Sequence, residues 1–168
     1  MTRQPKKSVS ERRVLEELDW DKIEKVLNRS RELLWQGGVV SIPILDLSEA
    51  LLQALQAARS SGQLVGGLEA IETLLQREQL GLEKNGSVVS KKSLAAVSRL
   101  LLLSNDGSER FYRSAENMQK RFGARLLLCR LNAKSDDLGR LFGSNANVKA
   151  LLVARKEFVS RVLAVLTP

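Results

Sequence analysis

Histidine is absent from all 168 residues, which removes the commonest general base and the commonest neutral metal ligand together. The chain has one cysteine, Cys129, so no internal disulfide can form. Cys129 follows Leu126-Leu127-Leu128 and reads as a small apolar residue in a buried strand. Metal centres, nucleophile–base triads and cofactors are therefore not expected. Aromatic residues make up only 4% of the chain, so the core must be built from Leu, Val, Ala and Ile. The longest purely apolar runs, residues 100–103 and 126–129, fall far short of the roughly 20 residues that span a bilayer. The first residues are polar and basic with no apolar run behind them, unlike a secretory signal. These absences describe a soluble cytoplasmic protein with no membrane partner.

What is present is length enough for one well-filled core plus an extra segment, and a formal net charge of +8. Up to residue 13, Arg3, Lys6, Lys7, Arg12 and Arg13 face Glu11 alone, which makes a basic tail. A second excess runs from Arg110 to Arg140, where Arg113, Lys120, Arg121, Arg125, Arg130 and Lys134 also stand against Glu116, Asp136 and Asp137. If the fold gathers these cations, they form a surface for nucleic-acid phosphates or other anions, without sequence preference.

Ser8 with Glu11 is a capping-box signature for a first helix, and Asp19-Trp20-Asp21 restarts it. Val26, Leu27, Leu33 and Leu34 then hold a helical period as far as Trp35. Trp20 and Trp35, each beside that stripe, read as anchors packing the segment onto the main body. Residues 39–45, interrupted by Pro43, suggest a connector or short edge strand. Residues 1–45 are thus expected to be a basic tail and an N-terminal helical extension, suited to a ribosomal or other protein partner.

From residue 46 the pattern becomes regular. Asp46 with Glu49 predicts a helix over Leu47, Leu51, Leu55 and Ala58. The stretch Gly62-Gln63-Leu64-Val65-Gly66-Gly67 then hands a short strand directly to a helix running to about Gln79. Such a junction lets another backbone approach and points unpaired helix N–H groups outward, so it reads either as a phosphate docking point or as a tight turn. Its spacing is neither the dinucleotide fingerprint nor a Walker loop. Residues 80–98 look like an insertion, with Asn85-Gly86 as a turn and a short helix near 91–97. Strands are predicted at 99–103, 125–131 and 149–154. The helices that follow them are marked by Phe111, Ala115, Met118 and Phe122, by Leu138 and Leu141, and by Phe158, Val162 and Leu163. Gly123 and Gly143 should close the first two as C-terminal glycines. Near-continuous apolar strands alternating with amphipathic helices imply an α/β class, a three-layer α/β/α sandwich on a four-stranded mixed sheet.

Four pieces in this order resemble the kink-turn RNA-binding superfamily of ribosomal and small-ribonucleoprotein core proteins, the L-seven-Ae and L-thirty-e family. They are Ala58-Arg59-Ser60-Ser61-Gly62-Gln63-Leu64-Val65-Gly66-Gly67, Leu102-Leu103-Ser104-Asn105-Asp106, Asp137-Leu138-Gly139-Arg140-Leu141-Phe142-Gly143, and Ala150-Leu151-Leu152-Val153 with its following helix. The resemblance covers about residues 46–166 and implies a domain over 46–168 that binds structured RNA, such as ribosomal RNA, in a ribosome or other ribonucleoprotein of the translation apparatus. It places RNA contact at Gly66, Gly67 and Glu69. The turn Asn105-Asp106, and the loop with Asn145 and Asn147 beside Arg140 and Lys149, flank the implied groove.

The positions where the family carries an Asn and a Lys hold Leu68, Ala70 and Thr73 here. Leu68 and Ala70 offer no side-chain hydrogen bond to a guanine edge, so the implied kink-turn site is degenerate. Asp136-Asp137 sits at a predicted helix start, where capping accounts for it, and no enzyme activity is expected. A protein-interaction or scaffold module that keeps the fold without RNA is the alternative.

Overall fold

The computed structural model describes residues 18–86, 94–143 and 146–167. The basic tail, the predicted start at Ser8 and Glu11, and Asn145 lie outside them. Asp19 opens helix α1 (Trp20–Asn28), where its carboxylate accepts the Lys22 backbone N–H at 3.1 Å and Ile23 and Leu27 are buried. The apolar period predicted that this helix reaches Trp35, but it stops at Arg29 and the chain enters strand β1 (Arg31–Leu33). All three residues of β1 are exposed, Leu33 at 51%, as on a short strand at the sheet edge, and Leu34 just beyond it is buried. A positional match to the helical period cannot reveal this, because the pairing partner is Ser41 to Pro43, further along the chain.

Those partner residues belong to β2 (Ser41–Leu45), which is an interior strand and not a connector. The Ile44 N–H donates to the Ser30 carbonyl at 2.8 Å, so Pro43 and Arg31 form a non-hydrogen-bonded pair and the missing proline N–H points away from β1. On the other side, β5 pairs only from Ile44 onward. Pro43 therefore sits inside the sheet without breaking a ladder bond.

Helix α2 (Glu49–Ser60) starts at Ser48, whose Oγ accepts the Leu51 N–H at 3.2 Å. The predicted cap, Asp46, instead accepts the Asn132 side-chain amide at 2.7 Å. The glycine stretch forms β3 (Leu64–Gly66) and α3 (Leu68–Lys84), which runs past the predicted end at Gln79. A 3-10 turn (Leu94–Ala96) leads to β4 (Arg99–Leu103). Ser108 caps α4 (Glu109–Phe122), and β5 (Leu126–Leu131) follows. Gly123 ends α4 with φ −59°, not in the left-handed region. A Cβ there would meet the Gln119 carbonyl oxygen at 2.4 Å, so the position demands space and not handedness. Helix α5 (Ser135–Gly139) runs into a 3-10 turn (Arg140–Phe142) closed by Gly143 at φ +64°. Strand β6 (Ala150–Val153) and helix α6 (Lys156–Ala164) complete the described elements.

The sheet has six strands in the order β1-β2-β5-β4-β6-β3, two more than the four predicted. It is mixed: β2, β5 and β4 run parallel, while β1, β6 and β3 pair antiparallel with their neighbours. Alternate residues face alternate layers. Leu100, Leu102, Leu127, Cys129, Leu151 and Val153 pack in one core with α1, α2, α5 and α6. Leu101, Leu103, Leu126, Leu128, Ala150 and Leu152 pack in a second core with α3 and α4. Each buried leucine contributes about 1.5–3 kcal/mol relative to an exposed one, and the central strands are apolar throughout because both faces are covered. Residues 18–45 supply a helix and two strands to this same body.

Candidate nucleic-acid interface

Helices α2 to α5 follow strands β2, β3, β4 and β5, and the ladder register brings all four strand ends to one rim of the sheet. The start of β6 is the meeting point. The Gly67 N–H donates to the Ala150 carbonyl at 3.0 Å, and the Ser104 N–H donates to the Lys149 carbonyl at 2.9 Å. Lys149 is thereby fixed between the glycine junction and the turn holding Asn105 and Asp106. The Asn105 N–H in turn donates to Ala133 at 2.9 Å, and the Val148 N–H to Ser135 at 2.9 Å, which ties the approach to β6 onto α5.

Gly67 stands at φ +93° as the start of α3 and gives that helix no side-chain cap. Only glycine holds such a backbone without strain, and nothing lies within 4 Å of the space a Cβ would occupy. The first N–H groups of α3 open onto this space. Glu69, exposed in the first turn, is favoured by the helix dipole. Thr73, at the position where the family resemblance implies a lysine, turns its hydroxyl back to the Glu69 carbonyl at 3.1 Å.

The remaining candidates separate by what their side chains already do. Asp106 accepts the Ser135 backbone N–H through both oxygens at 3.1 Å and the Ser135 hydroxyl at 2.7 Å. Burial pushes its carboxyl up, but the hydrogen bonds from Ser135 help to outweigh that and hold it below the usual range. It is the N-terminal lock of α5. Arg140 is 3.5 Å from Asp137. Asn105, Asn147 and Lys149 are exposed, and no side-chain hydrogen bond or ion pair engages them among the described residues. Gly66, Gly67, Glu69, Asn105, Asp106 and Lys149 thus meet at one rim; Asn147 lies two residues before Lys149, and Asn145 falls outside the described residues.

The basic stretch from Arg110 to Arg140 is largely neutralised by carboxylates. Six of its eight cations, Arg113, Lys120, Arg121, Arg125, Arg130 and Arg140, bridge carboxylates. Glu72, Glu78 and Glu32 come from α3 and β1, which local charge counting could not pair with it. Acids also share the rim: Glu49, Glu69, Glu109, Asp136 and Asp137 occupy first helical turns. Among the described residues, Lys149 and Arg59 stand near β3 and β6 with no carboxylate bridge; Arg59 lies within the first motif piece but is not among the expected site residues. Its guanidinium lies 5.7 Å from the Phe142 ring centre, a contact between residues that no spacing rule connects.

Among the described residues no group of His, Cys, Asp or Glu is arranged to hold a metal ion. No described helix is long and apolar enough to cross a membrane. A groove of about 520 Å³ lies between α3 and α4, lined by Gln76, Gln79, Leu80, Glu83, Arg121 and Phe122. It sits at the opposite end from the rim and shares no residue with it.

The sequence matches no family profile, and no curated protein matches it significantly. Among solved structures, the chain is similar to a protein of unknown function from Bacillus halodurans at 24% identity, with a TM-score of 0.46 over 70% of this chain and 97% of that one. It is also similar to a 15.5 kDa RNA-binding protein of Giardia lamblia at 13% identity, with a TM-score of 0.40 over 70% of this chain and 81% of that one.

Proposed function

We propose that this protein binds structured RNA, without catalysis, through the rim where β3, β4 and β6 meet. The observation that carries the reading is the position of Lys149, held by its own carbonyl and by Ala150 between the Gly67 junction and the Asn105 turn. A cation with no carboxylate partner among the described residues, an uncapped helix start and an amide side chain then lie at the same rim, which is the combination that holds phosphates and ribose edges. The motif resemblance to the kink-turn superfamily points the same way and suggests a ribosomal or other ribonucleoprotein RNA of the translation apparatus. Leu68, Ala70 and Thr73 supply no free donor for sheared G·A pairs, so recognition rests on RNA shape and backbone. The test is binding of a structured ribosomal RNA fragment at two salt concentrations. Affinity should fall with salt, and Lys149→Ala should lower the slope by about one; no binding, or binding indifferent to salt, ends the reading.

A second reading is a protein-contact module. The β1–β2 hairpin favours it, since β1 is a sheet edge and Leu33 and Val39 are 51% and 74% exposed. Light scattering of the full chain against a Leu33→Lys, Val39→Lys variant tests it for self-association: a larger wild-type mass supports it, and two equal monomers remove it.

A further inference from the structure

Strand β1 closes one end of the sheet, and its register on β2 fixes which of its backbone groups are in use. The Leu34 N–H donates to the Val40 carbonyl at 3.2 Å, and the Ile44 N–H to the Ser30 carbonyl at 2.8 Å. Bonded pairs in an antiparallel ladder fall on alternate residues, so Glu32, opposite Ile42, is also turned to β2. Arg31 and Leu33 turn their N–H and C=O groups the other way, out of the edge. Among the described residues no hydrogen bond reaches those groups.

Exposed edges are commonly guarded by charged side chains. Here both charges of β1 are drawn back over their own chain. Arg31 donates to the Ser41 carbonyl at 2.7 Å, to the Ser41 hydroxyl at 3.2 Å and to the Asn28 side-chain oxygen at 3.1 Å. Glu32 is bridged by Arg130, which reaches it from β5 across β2. What the edge presents besides its backbone is Leu33, 51% exposed, with Val39 nearby on the hairpin at 74%.

The open groups are also self-complementary. Arg31 and Leu33 flank Glu32, so a two-fold axis at Glu32 sets each Arg31 opposite the Leu33 of another copy and joins every open N–H to an open carbonyl. On one face the exposed leucine then lies beside an arginine stem. On the other face the two Glu32 carboxylates approach, each already bridged by its own Arg130.

We propose that β1 pairs antiparallel with β1 of a second copy, continuing the sheet across a two-fold axis. This rests on the protein-contact reading and names its partner and its mode, backbone pairing. Copies with a formal charge of +8 repel one another, so salt should strengthen the pairing, opposite to its effect on RNA binding.

Sedimentation of the full chain over a range of concentrations tests it, with amide hydrogen exchange on the same samples. The wild type should associate, and the Arg31 and Leu33 amides should slow with concentration while the Leu34 amide is protected throughout. Leu33→Pro removes an outward N–H and no bond to β2, so it should weaken association by about tenfold or more. Leu33→Thr keeps that N–H in a strand-forming residue and should associate nearly as the wild type does. Thermal unfolding shows whether Leu33→Pro folds; if it does not, the exchange pattern decides. Equal association of the two variants, whether both keep it or both lose it, overturns strand pairing and leaves the protein-contact reading standing. A wild type that associates with its Arg31 and Leu33 amides still fast does the same. Protection of those amides at every dilution means that the chain's own residues cover the edge, and overturns the pairing. A monomer at all concentrations removes both.

Discussion

The Trp35 indole N–H donates to Glu116 Oε2 at 2.6 Å, joining the tip of the β1–β2 hairpin to the middle of α4. The second oxygen of Glu116 accepts the Val39 N–H at 3.3 Å and lies 3.5 Å from Lys120 Nζ. A carboxylate only 4% exposed is tolerable here because donors surround it. Arg113 lies over the indole, 4.5 Å from the ring centre. Trp35 is thus the anchor that its place beside an apolar stripe suggested, although the element it anchors is a hairpin. Trp35→Phe keeps the ring and removes the donor. It should cost about 1.5–3 kcal/mol, read as a lower urea midpoint with unchanged slope.

At the far end of the sheet, Glu78 receives Arg99 and Arg125 together, at 2.5 and 3.0 Å. Burial pushes its carboxyl up, yet hydrogen bonds from the two arginines overcome this and hold it below its ordinary 4.5. A carboxyl depressed by folding contributes stability above its unfolded value, lost as pH falls through the folded one. Glu78→Gln should therefore destabilise by about 2 kcal/mol near neutral pH. The gap to wild type should close below about pH 4. Urea unfolding across pH 3–7 measures it, and a gap that stays constant would contradict the assignment.

Adjacent glycines at the β3–α3 junction should respond to alanine for different reasons. Gly67→Ala meets open space but a φ of +93°, and should cost about 1–2 kcal/mol of backbone strain. Gly66→Ala meets Phe142 at 3.0 Å and Val148 at 3.4 Å, so its cost is steric. A second change, Phe142→Leu, should relieve Gly66→Ala and leave Gly67→Ala unimproved; thermal unfolding of the single and double variants separates the two.

Asn105 and Asp106, neighbours in one turn, should divide binding from stability. Asp106→Ala strands the N–H and hydroxyl of Ser135, which is 2% exposed, and should cost about 1–3 kcal/mol. Since the Asp106 carboxyl is held low, this loss should also fade in acid below its ordinary 3.8. Asn105→Ala should leave stability within about 0.5 kcal/mol and weaken RNA binding. Denaturation and RNA titration on both variants check the division.

Much of the fold was legible because its signals are local. The leucine runs of β4 and β5, the Ser108 cap and the Gly66-Gly67 junction each declare themselves within a few residues. β1 and β2 did not: three exposed residues and a proline-bearing segment carry no periodic pattern, and pairing alone makes them strands. The same limit governs the rim. Its glycines and Asn105 could be named from motifs, but not that Asp106 is occupied by Ser135, nor that Arg59 meets Phe142.

The sequence alone determined an aliphatic two-faced sheet, the positions of most helix starts, and a chemistry without histidine or paired cysteine. Those depend on composition and on contacts within a turn or two. Only the tertiary structure decided which charges remain available. Arg121, Arg125 and Arg130 find Glu72, Glu78 and Glu32 across the fold, while Lys149 and Arg59 find no carboxylate among the described residues. Charge adds along a sequence, but it is cancelled in space, where ion pairing falls off within a few ångströms.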